Sequence, residues 1–173
     1  EVGVPAGPTG PQNVFGPNMA VRTSVLADGT RFDETIGPSE SAYAMGSETE
    51  FVRRLLRRGY QAGFVPDAVV EHFIRESQMT RDWILNRAVR FGRGQYRLAL
   101  NGGLVDPGLR KWRGVPRYLF LQAALQLRTI AIAAVTGRAE ARFRAEWELK
   151  FIRGSIQEAY QAARNAGAGQ KGT

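Results

Sequence analysis

Residues 46–72, GSETEFVRRLLRRGYQAGFVPDAVVEH, constrain the fold more than any other stretch. Phe51, Val52, Leu55 and Leu56 fall on one side at helical spacing, with Arg53, Arg54, Arg57 and Arg58 on the other. That spacing predicts a short amphipathic helix with one face on a core. Ser47 with Glu50 three residues on fits a capping box. Glu48 falls in the first turn, where the helix dipole favours a negative charge, and Gly59 is placed to end the helix in a left-handed conformation. Residues 61–65 and 68–73 then read as strands, paired across the Pro66-Asp67 turn or lying on neighbouring strands. In the second run Ala68, Val70 and His72 share a face. Glu48 and Glu50 have a structural role open to them, as cap and dipole partner, and a chemical one. The sole histidine, His72, is open to the same two readings.

The same residues carry a resemblance. Gly46-Ser47-Glu48-Thr49-Glu50-Phe51, Arg54-Leu55, Gly59-Tyr60, Val65-Pro66-Asp67-Ala68-Val69-Val70 and His72 resemble the C-terminal catalytic half of family 2 glycosyltransferases. Upstream, Gly16-Pro17-Asn18-Met19-Ala20-Val21-Arg22 is similar to the family's G-x-N-M-A-x-R strand, and Phe32-Asp33-Glu34 to its F-D-E turn. The likeness covers roughly residues 13–100, and it rests on the order of the motifs rather than on any one of them. It implies an α/β fold, the C-terminal half of a GT-A (nucleotide-diphospho-sugar transferase) domain, and an inverting transfer. Glu48 would be the general base, with Glu50 the second choice. His72 would serve a metal or the diphosphate. The family's usual Glu-Asp pair is Ser47-Glu48 here, so the base is one methylene longer.

The resemblance also implies a nucleotide-diphospho-sugar donor, a saccharide or lipid-linked acceptor, and a divalent metal (Mg or Mn) in the full enzyme. The donor-binding half, with its Asp-x-Asp motif, has no counterpart in these residues. The chain is therefore expected to be a fragment, inactive alone.

Charge and composition set the outer limits. Hydrophobic content of 43% and charged content of 23% are ordinary for a globular protein. With no cysteine, neither a disulfide framework nor a thiolate metal site is available. Lysine and arginine number 24 against 16 acidic residues, a net +8, which favours phosphate-bearing partners.

Along the chain, residues 1–12 are crowded with Pro and Gly and read as a flexible lead-in. Residues 13–22 read as a strand broken at Gly16-Pro17, either an edge bulge or a place where backbone approaches a ligand. Asn18 and Arg22 are its candidate substrate-binding residues. Residues 23–26 form a helical turn, and a polar loop with Pro38, Ser39 and Ser41 runs to Tyr43. Thr80 caps a helix over residues 81–100, on which Arg87, Arg90, Arg93 and Arg97 share one sector. Arg90 and Arg93 are the candidate diphosphate ligands, since guanidinium makes bidentate contacts to phosphate; a solvated face is the plainer reading. Gly92 and Gly94 weaken that helix.

Beyond a break at residues 101–108, residues 101–173 are expected to be helical. Residues 115–135 form a wide apolar face flanked by Arg110, Lys111, Arg113, Arg117 and Arg138. Its uncharged runs are short for a bilayer span, so this helix lies on an anionic membrane surface or packs on the main domain. A last helix over 139–163 carries Phe143, Trp147 and Phe151 at i, i+4, i+8, and the tail AGAGQKGT is expected to be disordered. The expected location is cytoplasmic, peripheral at the inner face of the cell membrane. The alternative is a basic helical module binding nucleic acid or anionic membrane without catalysis. No zinc-ligand spacing, RNP-type strand or helix-turn-helix appears, so nucleic acid is not the expected partner.

Overall fold

The structure, a computed structural model, describes residues 4–38 and 43–169. The described chain is mostly helical, with two small two-stranded sheets and, among the described residues, no larger parallel sheet of the GT-A type. It divides into two compact units, Glu1–Gly37 with Gly46–Ile74 and Pro38–Met45 with Arg75–Thr173.

The first unit is organised around helix α2, Ser47–Arg57. Its buried residues include Phe51, Val52 and Leu55, as the spacing predicts. Phe51 and Leu55 meet Val25 of α1, Thr23–Leu26, with Val21 and Leu26 packed against the cluster. Phe32 stacks on Phe51, ring centroids 4.2 Å apart and planes 16° from parallel. The helix ends in a Schellman motif: Tyr60 N–H donates to Leu55 O (3.2 Å), Gly59 N–H donates to Leu56 O (3.0 Å), and Gly59 has φ 88°.

The strands differ from the expectation. Strand β2, Ala62–Phe64, pairs antiparallel with β1, Gly7–Thr9, inside the stretch read as a lead-in. Residues 68–73 form no strand and are exposed. Alternating apolar residues identify a strand's faces but not its partner, and here that run has no sheet edge to join. Nor do residues 13–22 form a strand. A 3-10 turn, Pro11–Asn13, leads into a tight turn closed by Asn18 N–H donating to Phe15 O at 2.9 Å.

The second unit is built from three long helices, α3 (Arg81–Asn101), α4 (Arg117–Val135) and α5 (Ala139–Gly169), with α5 packed on both others. Thr80 caps α3 as expected, its hydroxyl accepting from Trp83 N–H at 3.3 Å. The two glycines that weaken α3 in isolation prove to be points of close approach. A Cβ on Gly92 would lie 1.9 Å from Phe151 O, one on Gly154 2.0 Å from Val89 O, and one on Gly94 1.7 Å from Met45 O. Helix α3 and α5 thus cross backbone to backbone, and Ser155 Oγ donates to Gly92 O across the crossing. Phe91, Trp147 and Phe151 pack beside it.

Strands β3, Lys111–Trp112, and β4, Val115–Pro116, form a hairpin that enters α4. Its two turn residues, Arg113 (φ 49°) and Gly114 (φ 83°), take the left-handed backbone that two-residue hairpins require. The core of the unit joins Tyr96, Val115, Leu119, Ile152 and Ala159. Helix α5 continues to Gly169, so the start of the tail is helical; residues 170–173 lie outside the described part.

Candidate functional site at the start of helix α2

Glu48 stands in the first turn of α2 because Gly46, at φ 111°, takes the N-cap position. That also corrects the capping box. With Gly46 as N-cap, Ser47 is the first helical residue and its hydroxyl cannot reach the free N–H groups ahead of it. Ser47 Oγ donates instead to Glu48 Oε2, at 2.9 Å. Glu50 lies two residues on, still in the first turn, and makes an i,i+4 fork with Arg54, Nε–Oε1 3.0 Å and Nη2–Oε2 3.0 Å. This bond is the main cause of the raised Arg54 pKa. Arg54 Nη2 also donates to Arg31 O at 2.8 Å. Glu50 is buried and committed to this pair; Glu48 is half-buried and has a neutral donor beside it.

The Gly16-Pro17 turn closes over Glu48. A Cβ on Gly16 would lie 3.0 Å from Glu48 Oε1, so a side chain there would press on the carboxylate. From the same turn, Asn18 Nδ2 donates to Ala68 O at 2.7 Å. One tight turn thereby touches both the first turn of α2 and the extended segment that follows Pro66-Asp67. Arg22 occupies the N-cap position of α1 and is exposed.

His72 is exposed in the irregular segment beyond residue 65. Among the described residues no group of three or more His, Cys, Asp or Glu side chains is placed to hold a metal ion.

The arginine sector of α3 belongs to the second unit, and it divides. Arg93 Nε donates to Glu158 Oε2 (3.2 Å) and its Nη2 to Gln161 Oε1 (3.3 Å), while Arg97 Nε donates to Glu158 Oε1 (2.6 Å). Glu158 is buried on α5, and these guanidinium partners offset the desolvation of its charge. Arg93 thus serves as a tie between helices rather than as an open phosphate ligand. Arg90 lies over the rings of Tyr43 (5.2 Å) and Trp83 (6.0 Å), and Arg87 over Trp83 (5.4 Å). Helical spacing found the shared sector but carried no signal for Glu158, some 60 residues away in sequence. Nor did it flag a cavity of about 430 Å³ at the α4–α5 turn, which Arg81, Phe143 and Arg142 help to line.

The structure gathers Glu48, Glu50, Asn18, Arg22 and His72 in one unit and Arg90 and Arg93 in the other. No protein-family model, curated protein or solved structure matches the chain.

Proposed function

We propose that this chain supplies the acceptor side of an inverting, nucleotide-sugar-dependent glycosyltransferase, with Glu48 as the general base. The observation that carries the reading is the availability of Glu48 beside a bare Gly16, with Glu50 locked to Arg54. Three of the segments that resemble family 2 enzymes, at residues 16–22, 46–51 and 65–70, are also joined through the Phe15–Asn18 turn. That convergence supports the resemblance, although the segments are distant in sequence.

The chemistry asks for such a carboxylate. An acceptor hydroxyl is a poor nucleophile at neutral pH. As its oxygen bonds to the anomeric carbon, the bond to the diphosphate oxygen breaks and the hydroxyl proton passes to the base. Glu48 Oε1, on the side of the carboxylate facing the glycine turn, is the acceptor atom in this reading, and Ser47 holds Oε2. Charge growing on the departing diphosphate needs separate stabilisation.

The test is turnover of nucleotide sugars by the natural polypeptide that carries these residues. Glu48→Gln keeps the shape and loses the proton acceptor, so kcat should fall by about 10²- to 10⁴-fold while donor affinity holds. Glu50→Gln should keep most activity and lower thermal stability by about 1 kcal/mol through its weakened fork with Arg54. Turnover that survives Glu48→Gln but not Glu50→Gln would reverse the assignment.

A further inference from the structure

Helix α4 has two apolar faces, and only one is used. Leu119 and Ala133 are buried, with Phe120 and Ala123 packed against the same core. On another side Tyr118, Leu121, Leu125, Arg128, Ile132 and Val135 recur at steps of three and four residues and are exposed, Leu121 at 68% and Val135 at 89%. Among the described residues no packing covers this stripe, and a contiguous exposed apolar face of this kind marks an interaction surface.

Charge narrows the occupant. From residue 107 to residue 139 there is no acidic side chain, while Arg110, Lys111, Arg113, Arg117, Arg128 and Arg138 are all basic. Arg113 lies over the exposed ring of Trp112 (5.4 Å), next to the start of the helix. An apolar stripe with arginine and lysine around it and aromatic residues at one end is complementary to a lipid surface bearing negative head groups. A second copy fits less well. A two-fold pairing of these faces would bring Arg128, near the middle of α4, against its own counterpart with no acid on the helix to offset it, whereas at a lipid surface its long side chain reaches up to the negative head groups.

Length and composition would let α4 cross a bilayer, with a mean hydropathy of 1.5 and little of the helix buried. Its neighbour argues against crossing. Helix α5 packs along α4 and carries Arg142, Glu146, Lys150, Arg153 and Glu158, which a crossing pair would drag into hydrocarbon. We infer that α4 lies in the plane of an anionic membrane interface, its Leu121–Leu125–Ile132 face in the acyl boundary and the basic hairpin at the head groups. The inference stands apart from the transfer chemistry, since lipid binding needs neither donor nor acceptor.

The experiment uses the 173-residue chain with vesicles of phosphatidylcholine alone or mixed with phosphatidylglycerol. Flotation should recover the chain with the mixed vesicles, and partitioning should fall at least about tenfold without phosphatidylglycerol or in Lys111→Glu/Arg113→Glu. Leu121→Gln/Leu125→Gln should abolish flotation with an unchanged circular dichroism spectrum, because both positions are exposed. The absence of cysteine allows single labels at Leu121→Cys, Leu125→Cys and Ile132→Cys. Quenching by brominated lipids should place all three at one shallow depth. A depth maximum at 125 means a spanning helix and overturns the inference. So does flotation indifferent to phosphatidylglycerol, or a solution dimer that Leu125→Gln dissolves.

Discussion

Around α2, a core of Val25, Phe51 and Leu55 is closed by turns and by bonds from side chains to backbone, such as Asn18 to Ala68 O and Arg54 to Arg31 O. Around α5, by contrast, helices approach through glycines until backbones touch, and a buried glutamate ties two arginines of α3. The first unit spends its sequence on special backbone conformations, with Gly29, Gly37, Gly46 and Gly59 all at positive φ. The second spends its sequence on close packing, which suits a scaffold. The comparison predicts that damage to each unit has a different signature.

The largest effect is expected at the α3–α5 crossing. Gly154→Val would set side-chain atoms where the Cβ alone already comes within 2.0 Å of Val89 O and 2.9 Å of Arg93 N. Neither helix can yield without breaking the other's packing, so the loss should exceed about 4 kcal/mol, the range of severe overpacking. Circular dichroism should report it as a large fall in helix content, because the long helices all belong to this unit. A variant that melts with the parent would mean that the crossing is looser than described.

Phe51→Ala should come next, at about 3 to 4 kcal/mol, the usual cost of deleting a buried aromatic ring. Phe51 is fully buried and holds the stack with Phe32. Its signature should be the reverse of the first. Amide exchange should quicken across residues 46–60 while helices α3 and α5 keep their protection. If both sets of amides lose protection together, the two units do not unfold independently, and the contrast between them fails as an account of stability.

The same contrast explains what was legible in the sequence. Helices were readable where apolar spacing, caps and glycine stops agreed: α2 with Gly59, α3 with Thr80, and α4 and α5. The two runs read as strands, paired across Pro66-Asp67 or lying on neighbouring strands, instead split, one joining Gly7–Thr9 and the other staying irregular, because strand partners are chosen non-locally. The capping box failed through a single residue. Ser47 and Glu50 have the right types and spacing, but Gly46 shifts the helix start by one position. At the site, Glu48 and Asn18 are residues that the sequence singles out, whereas the Gly16-Pro17 break, read as an edge bulge or a place where backbone approaches a ligand, proves to be a tight turn against Glu48. The role of Glu50 was legible only in part, since i,i+4 spacing to Arg54 competes with the capping box for the same carboxylate, and that of Arg93 was not, since its partner Glu158 lies on another helix.

The smallest effect expected tests how the far end of α2 is tied. Arg58 pairs with Asp28, and Asp28 Oδ1 accepts from both the hydroxyl and the N–H of Thr30. Those bonds, the Thr30 hydroxyl first and Arg58 next, hold the Asp28 pKa well below its ordinary 3.8. A carboxyl whose folded pKa is depressed contributes stability that is complete above its unfolded pKa. That contribution is lost as the pH falls below about 4 toward the folded value. Because the side chain is exposed, the contribution is modest and weakened by salt. Asp28→Asn removes the titration and the ion pair but retains an oxygen for Thr30. The variant should therefore be less stable than the parent at neutral pH, and the gap should close as the pH is lowered through the acid range. Denaturant midpoints for the two proteins, taken at neutral pH and near pH 3, measure it directly. A gap that stays constant between those conditions would mean that Asp28 titrates normally and that Arg58 is held by Thr30 alone, through the 2.6 Å bond from its Nη1.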